Sequence, residues 1–200
     1  MPSIDRFPLG LAAGLVMALA LALLAAVVLR QADRSRSDLP DFGAVPAFEL
    51  ERYDGGTFTP ADLLGKISVV DFIFTRCPNV CPVMATQYRN HYATFREAPE
   101  VQFVSITVDP DYDTPEVLAR YAKRQGVTDG RWVFLRGPIA EVIRLSEQGF
   151  LLPAEDLPMG HSAKFALVDR QGRIRGYYDH DSEAAQELLK THITELYRQQ

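Results

Sequence analysis

Ile67-Ser68-Val69-Val70-Asp71-Phe72-Ile73-Phe74 runs directly into Thr75-Arg76-Cys77-Pro78-Asn79-Val80-Cys81-Pro82, and the reading of this stretch decides the fold. Its first half is apolar, β-branched or aromatic at most positions, which predicts a strand buried on both faces. A strand that ends in a loop and is followed by a helix sets the loop's thiol at the helix N-terminus. There the helix dipole and unpaired N–H groups favour thiolate. The chain has two cysteines, and both lie in this C-x-x-x-C segment. If the segment is helical, positions i and i+4 present two sulfurs to one side. Such a pair can close a disulfide or chelate a soft metal ion. Pro78 and Pro82 stiffen the loop, and a strand-to-helix loop flanked by prolines predicts exposed thiols rather than packing cysteines.

The pattern outward from this stretch alternates strands with helices. Residues 48–53 alternate as a half-buried strand. Asp54-Gly55-Gly56 turns the chain back through Thr57-Phe58, and Thr59-Pro60 opens a short helix that Gly65 stops. An amphipathic helix is expected over 83–98 and a second buried strand over 101–108. Thr114-Pro115-Glu116 starts a helix that runs to about Gln125. A strand over 132–135, a helix over 138–149 and a long irregular segment over 150–162 follow. Strands over 164–169 and 174–178 and a final helix capped by Ser182 complete the chain. This order predicts a three-layer α/β domain with the cysteine loop at the carboxyl end of a central strand, where such sheets place ligands. The strand, thiol-bearing loop and helix have the layout of a thioredoxin-like site, apart from the longer cysteine spacing.

The amino-terminal part has a different character. Residues 7–29 carry no charge. As a helix they would span roughly 34 Å at about 1.5 Å per residue, enough for a hydrocarbon core of about 30 Å. The run exceeds the h-region of a cleaved signal, about 7–15 residues, and no small-x-small site follows it. It is read as a retained transmembrane signal anchor after a short leader (1–6), with a linker over 30–44 and the folded domain over 45–200. Arg30, Arg34 and Arg36 follow the span, partly offset by Asp33 and Asp38, against Arg6 before it. A simple positive-inside count therefore places the domain in the cytoplasm. Four of the 21 basic and three of the 26 acidic residues precede Leu39, leaving a net charge of −6 on the remainder. That balance gives no basis for nucleic-acid binding.

His161 closes the irregular segment just before a predicted strand, in Pro158-Met159-Gly160-His161-Ser162. In a thioredoxin-like fold this loop faces the cysteine loop and normally carries a cis-proline. Here no proline stands directly before the strand, and a histidine is close by. Two thiolates and one imidazole suit Cu(I), and with an added oxygen donor Cu(II). Zinc also accepts Cys₂His plus a fourth ligand. His91, His180 and His192 read as ordinary helix and loop residues, and Met159 as surface rather than an axial ligand. Asp109 and Asp113 read as turn and cap residues, or else as carboxylates that support the ligands or dock a partner. Arg76 is expected to lower the Cys77 pKa. Asp71, inside a buried strand, is either an internal buffering acid near the thiols or a satisfied core polar group.

These pieces resemble the Sco/SenC family of membrane-anchored copper-binding proteins. The resemblance is carried by Phe72 to Pro82, by Val104-Ser105-Ile106-Thr107-Val108-Asp109-Pro110 with Asp113-Thr114-Pro115-Glu116, by Gly160-His161-Ser162, and by the hairpin Phe165 to Ile174. It spans about residues 40–180. It implies a thioredoxin-like fold, with copper, Cu(I) or Cu(II), bound by Cys77, Cys81 and His161. It also implies a role in delivering copper to the dinuclear centre of cytochrome c oxidase, or in reducing that centre's cysteines. The expected partner is the copper-bearing oxidase subunit or another copper or thiol client. The domain is placed outside the cytoplasm, against the charge count. With only Met1 to Arg6 ahead of the span, a bacterial inner membrane with a periplasmic domain is expected.

Two functions of different class share the cysteines. A copper-binding assembly factor, not an enzyme in the turnover sense, needs His161. A thiol–disulfide oxidoreductase, with Cys77 and Cys81 as its redox pair, does not. A peroxiredoxin would need Pro and Thr or Ser where this chain has Val70 and Phe74.

Overall fold

The computed structural model describes residues 16–25, 39–78 and 80–199. Residues 16–25 form an apolar helix, α1. The rest of the uncharged 7–29 stretch lies outside the described residues, as do residues 1–6 and 30–38. Among the described residues no helix is long and apolar enough to cross a membrane.

Leu39–Arg198 form one compact unit. Its seven strands are β1 (Leu50–Arg52), β2 (Thr57–Phe58), β3 (Ile67–Ile73), β4 (Val101–Thr107), β5 (Trp132–Arg136), β6 (Lys164–Val168) and β7 (Ile174–Asp179), in one sheet ordered β2-β1-β5-β4-β3-β6-β7. β3, β4 and β5 are mutually parallel, while β1 and β6 run antiparallel to their central neighbours. Every residue of β3 and β4 is buried, as expected for central strands covered on both faces. The helices are α2 (Val80–Thr94), α3 (Pro115–Arg124), α4 (Ile139–Arg144), continued by a π turn over Leu145–Gly149, and α5 (Glu183–Arg198).

The alternation of side chains along β3 divides the core in two. Val70 and Phe72 face a cluster with Val104, Val133, Val142, Leu145 and Phe150, beneath α4 and the π turn. Ile67, Val69 and Ile73 face Met84, Tyr88, Phe103, Trp132, Leu118, Leu189 and Ile193, beneath α2, α3 and α5. The predicted three layers are therefore present, and each buried Phe or Leu contributes about 1.5–3 kcal/mol.

Two boundaries differ from expectation in ways that matter. α2 begins at Val80 rather than 83, so Cys81 lies in its first turn. Pro82 does not delay the start, because N–H groups of the first turn have no intrahelical partner. Residues 39–45, most of them assigned by sequence to the linker, lie along the start of β7. Phe42 N donates to Ile174 O (2.9 Å), Val45 N to Gly172 O (2.9 Å) and Arg175 Nη2 to Leu39 O (2.6 Å). Arg173 pairs with Asp41 at 2.7 Å. Lys164 faces Asp179 and Val168 faces Ile174 in the β6–β7 register, so the unit's first residues attach at the end of β7 remote from the β6 start.

Candidate metal centre

The carboxyl end of β3 delivers Cys77. After Phe74 the chain turns, and Cys77 N donates to Phe74 O at 3.3 Å. Cys77 Sγ in turn accepts the Cys81 N–H at 3.4 Å, satisfying one of the unpaired donors in the first turn of α2. His161 arrives from the loop that leads into β6, the strand paired antiparallel with β3. Residues 154 and 161 form an isolated antiparallel bridge that closes the irregular segment into a loop. Gly160 is needed there, because a Cβ on it would stand 1.8 Å from Glu155 O. The Leu157-Pro158 peptide of the same loop is cis.

His161 Nε2 lies 3.5 Å from Cys81 Sγ, and His161 Nδ1 lies 3.0 Å from Ser162 O. A carbonyl oxygen only accepts, so the proton sits on Nδ1 and the Nε2 lone pair faces the sulfur. The imidazole is further fixed edge-on against Phe74, with ring centroids 5.6 Å apart. Cys77 Sγ, Cys81 Sγ and one His161 ring nitrogen all lie within 4.8 Å of one another.

The two cysteines are unbridged. The expectation of exposed thiols is corrected: relative exposure is 9% at Cys77, 2% at Cys81 and 8% at His161. Both loops fold inward onto the Phe72–Phe74 end of the core, which removes the sulfurs from water. Burial pushes the Cys81 thiol well above the ordinary range, and its hydrogen bond with Cys77 adds to the rise. Here desolvation outweighs the helix-terminus effect expected from sequence. Burial likewise lowers the His161 pKa, against the Ser162 carbonyl. The trio is thus a buried donor set in which Cys81 and His161 are both shifted toward their neutral forms, and a cation among the three atoms would supply the charge that favours thiolate. Two soft sulfurs and one imidazole nitrogen fit copper in that role.

The other candidates fall outside this trio. Met159 is exposed. His91 is buried against α5, with Nε2 2.7 Å from Gln186 Oε1. His180 Nδ1 bonds Ala163 O, and His192 Nδ1 bonds the Tyr178 hydroxyl. The Arg76 Nε donates to Asp109 Oδ2 at 2.7 Å, and its guanidinium lies 4.6 Å from the Tyr112 ring centroid. Its charge is thereby matched by a carboxylate. Asp71 falls on the β3 face with Val69 and Ile73, beneath Tyr88, whereas the cysteines pack on the Phe72 face. Burial pushes its carboxyl up to about 7, opposed by hydrogen bonds with Ser105 and Tyr88. Asp113, read in sequence as a turn and cap residue or else as a supporting or docking carboxylate, accepts the Thr75 N–H at 3.1 Å across 38 positions of chain.

Comparison with known proteins agrees with this geometry. A sequence model of the SCO1/SenC family matches residues 38–196. A Stutzerimonas stutzeri protein named for copper binding is 33% identical over 151 residues, covering 70% of this chain and 71% of that one. The SCO1 homologue of Bacillus subtilis is 27% identical over 141 residues, covering 68% and 73%. Among solved structures, a SCO1/SenC family lipoprotein from Bacillus anthracis superposes with a TM-score of 0.70 at 30% identity, over 76% of this chain and 94% of that one. Copper-bound ScoI of Bradyrhizobium japonicum superposes with a TM-score of 0.62 at 26% identity, over 74% and 99%.

Proposed function

This chain belongs to the SCO1/SenC family, and from that premise we propose that it is a membrane-anchored copper-binding protein serving assembly of the dinuclear copper centre of cytochrome c oxidase. The observation that carries the reading is the meeting of Cys77, Cys81 and His161 within 4.8 Å, from two loops far apart in sequence. Copper is the cargo, held by the two sulfurs and the imidazole Nε2. The solved relatives include copper-bound Sco structures from Bradyrhizobium japonicum and yeast, and another, BsSco, is described as a member of the Sco family of cytochrome c oxidase assembly proteins.

The chain's own groups do three things in this role. The Ser162 carbonyl orients the imidazole so that its lone pair faces the sulfurs. The Phe72–Phe74 end of the core excludes water from the donors. The opening of α2 brings the Cys81 N–H to Cys77 Sγ and so fixes the separation of the two sulfurs. In the proposed arrangement residues 7–29 anchor the chain in a bacterial inner membrane, residues 30–38 link it, and the unit that begins at Leu39 lies on the periplasmic side.

The test is anaerobic titration of the reduced full chain in detergent with Cu(I) against a chromogenic chelator. One tightly held ion per chain is expected. Stoichiometric zinc binding with no tight copper site would defeat the reading.

A second reading, a thiol–disulfide oxidoreductase acting on client cysteines, uses Cys77 and Cys81 alone. It is favoured by the direct Cys81 N–H to Cys77 Sγ contact, which holds the sulfurs close without a metal.

A further inference from the structure

Cys77 is approached by a loop that supplies no ligand. β4 ends at Thr107, and the chain then runs through Asp109 and Asp113 to the start of α3. Asp113 is fully buried, at 0% exposure. Its Oδ1 accepts the Thr75 hydroxyl (2.5 Å), and its Oδ2 accepts both the Thr75 N–H (3.1 Å) and the Thr107 hydroxyl (2.5 Å). Thr107 Oγ1 in turn accepts the Asp109 N–H at 3.0 Å, and the Asp109 carboxylate holds Arg76. The loop therefore grips Thr75 and Arg76, the two residues that immediately precede Cys77.

Helix capping does not account for this carboxylate. The N-cap of α3 is Thr114, whose hydroxyl accepts the Val117 N–H. Asp113 points the other way, toward the cysteine turn, and draws its donors from 38 and six positions away in sequence. A buried carboxylate costs several kcal/mol unless its oxygens are hydrogen-bonded. Here three donors offset that cost, and two of them come from one residue of the cysteine loop. A site whose atoms must meet within a few tenths of an ångström needs such support behind its ligands.

We propose that Asp113 is a positioning residue for this site: through Thr75 it fixes the turn that carries Cys77, and so sets both the strength of copper binding and the equilibrium between dithiol and disulfide. The inference rests on the Cys77–Cys81–His161 reading given above for its copper arm. Its dithiol arm is independent of copper.

The experiment compares Asp113→Asn, Thr75→Val and Thr75→Ser with wild type, each as the full chain in detergent. Asp113→Asn places an amide N–H₂ where an acceptor oxygen stood. Thr75→Val removes one donor and leaves the carboxylate its other two. Thr75→Ser keeps the donor. Two constants are read for each protein: Cu(I) affinity by chelator competition, and the dithiol–disulfide equilibrium in glutathione buffers. In the latter, two thiols yield one disulfide, two protons and two electrons, and oxidised glutathione takes up both protons and electrons to become two thiols. Thr75→Val and Asp113→Asn are expected to weaken Cu(I) binding at least tenfold and to move the dithiol equilibrium at least tenfold, about 30 mV for this couple. Thr75→Ser should stay within twofold of wild type on both.

If Thr75→Val and Asp113→Asn lower the melting temperature but leave both constants within twofold, Asp113 supports only the fold and the proposal fails. It fails also if Thr75→Ser behaves like Thr75→Val, since lost packing would then explain the change. If Asp113→Asn does not fold, the Thr75 pair decides. If wild type itself binds no copper, the function proposed above falls, while the dithiol constant still decides the role of Asp113.

Discussion

Cys81 Sγ and His161 Nε2 stand 3.5 Å apart although 80 positions of chain separate them. Ser162 sets the tautomer that makes this contact possible, and the 154–161 bridge holds the loop that presents it. The contact distinguishes a metal-binding trio from a bare dithiol.

Replacement of His161 by Ala is therefore expected to weaken Cu(I) binding by at least two orders of magnitude, with the two cysteines still able to pair. Copper affinity and thiol titration on the same protein check this. Copper binding equal to wild type would remove His161 from the ligand set. Loss of copper with full oxidase assembly in cells would favour the thiol-reductase reading.

Mild oxidation should join Cys77 and Cys81 within one chain and abolish metal binding, because the ligand form is thiolate. Intact mass should fall by two hydrogens. Persistent free thiols, or dimers joined between chains, would count against it.

Gly160→Ala should weaken copper binding about tenfold or more while the sheet stays folded. The added Cβ would stand 1.8 Å from Glu155 O, a backbone atom, so the loop carrying His161 must move. Circular dichroism and Cu(I) competition on the same sample separate the two effects. Unchanged affinity would show that the loop adapts without moving the imidazole.

Asp71→Asn should stabilise the protein at pH 8 by a few kcal/mol, at about 1.4 kcal/mol per pKa unit, and by much less at pH 4. The carboxyl is raised from 3.8 to about 7 by burial, so the folded state binds its proton more tightly than the unfolded chain. Its contribution is fully present below about pH 4 and is lost as pH rises toward 7. Urea unfolding across that range gives the slope. A mutant profile parallel to wild type would show that Asp71 does not titrate on folding.

Membrane fractionation with and without residues 7–29 tests the proposed anchor. Full-length chain should sediment with the inner membrane and be cut by protease added to spheroplasts. Resistance to that protease would place the domain in the cytoplasm, as the positive-inside count does.

What the sequence determined on its own was local. The β-branched and aromatic run at 67–73 makes a central strand wherever it is placed, because each of its faces needs cover. The Thr114-Pro115-Glu116 start and the C-x-x-x-C spacing are legible for the same reason: caps, turns and ring sizes depend on neighbours a few positions away. The burial of the sulfurs was decided by tertiary structure, since desolvation depends on what the 154–161 loop and the Phe72 face bring over them, and it raises the Cys81 pKa despite the nearby helix start. So was the placement of Asp71. Strand alternation puts it on one face, but only the packing of α2 puts Tyr88 over it and the cysteines on the other side. The hold of Asp113 on Thr75 spans 38 positions and has no periodicity to announce it. Such contacts come from sheet order, which brings the ends of β3 and β4 together, and sheet order is a property of the whole chain's packing rather than of any window within it.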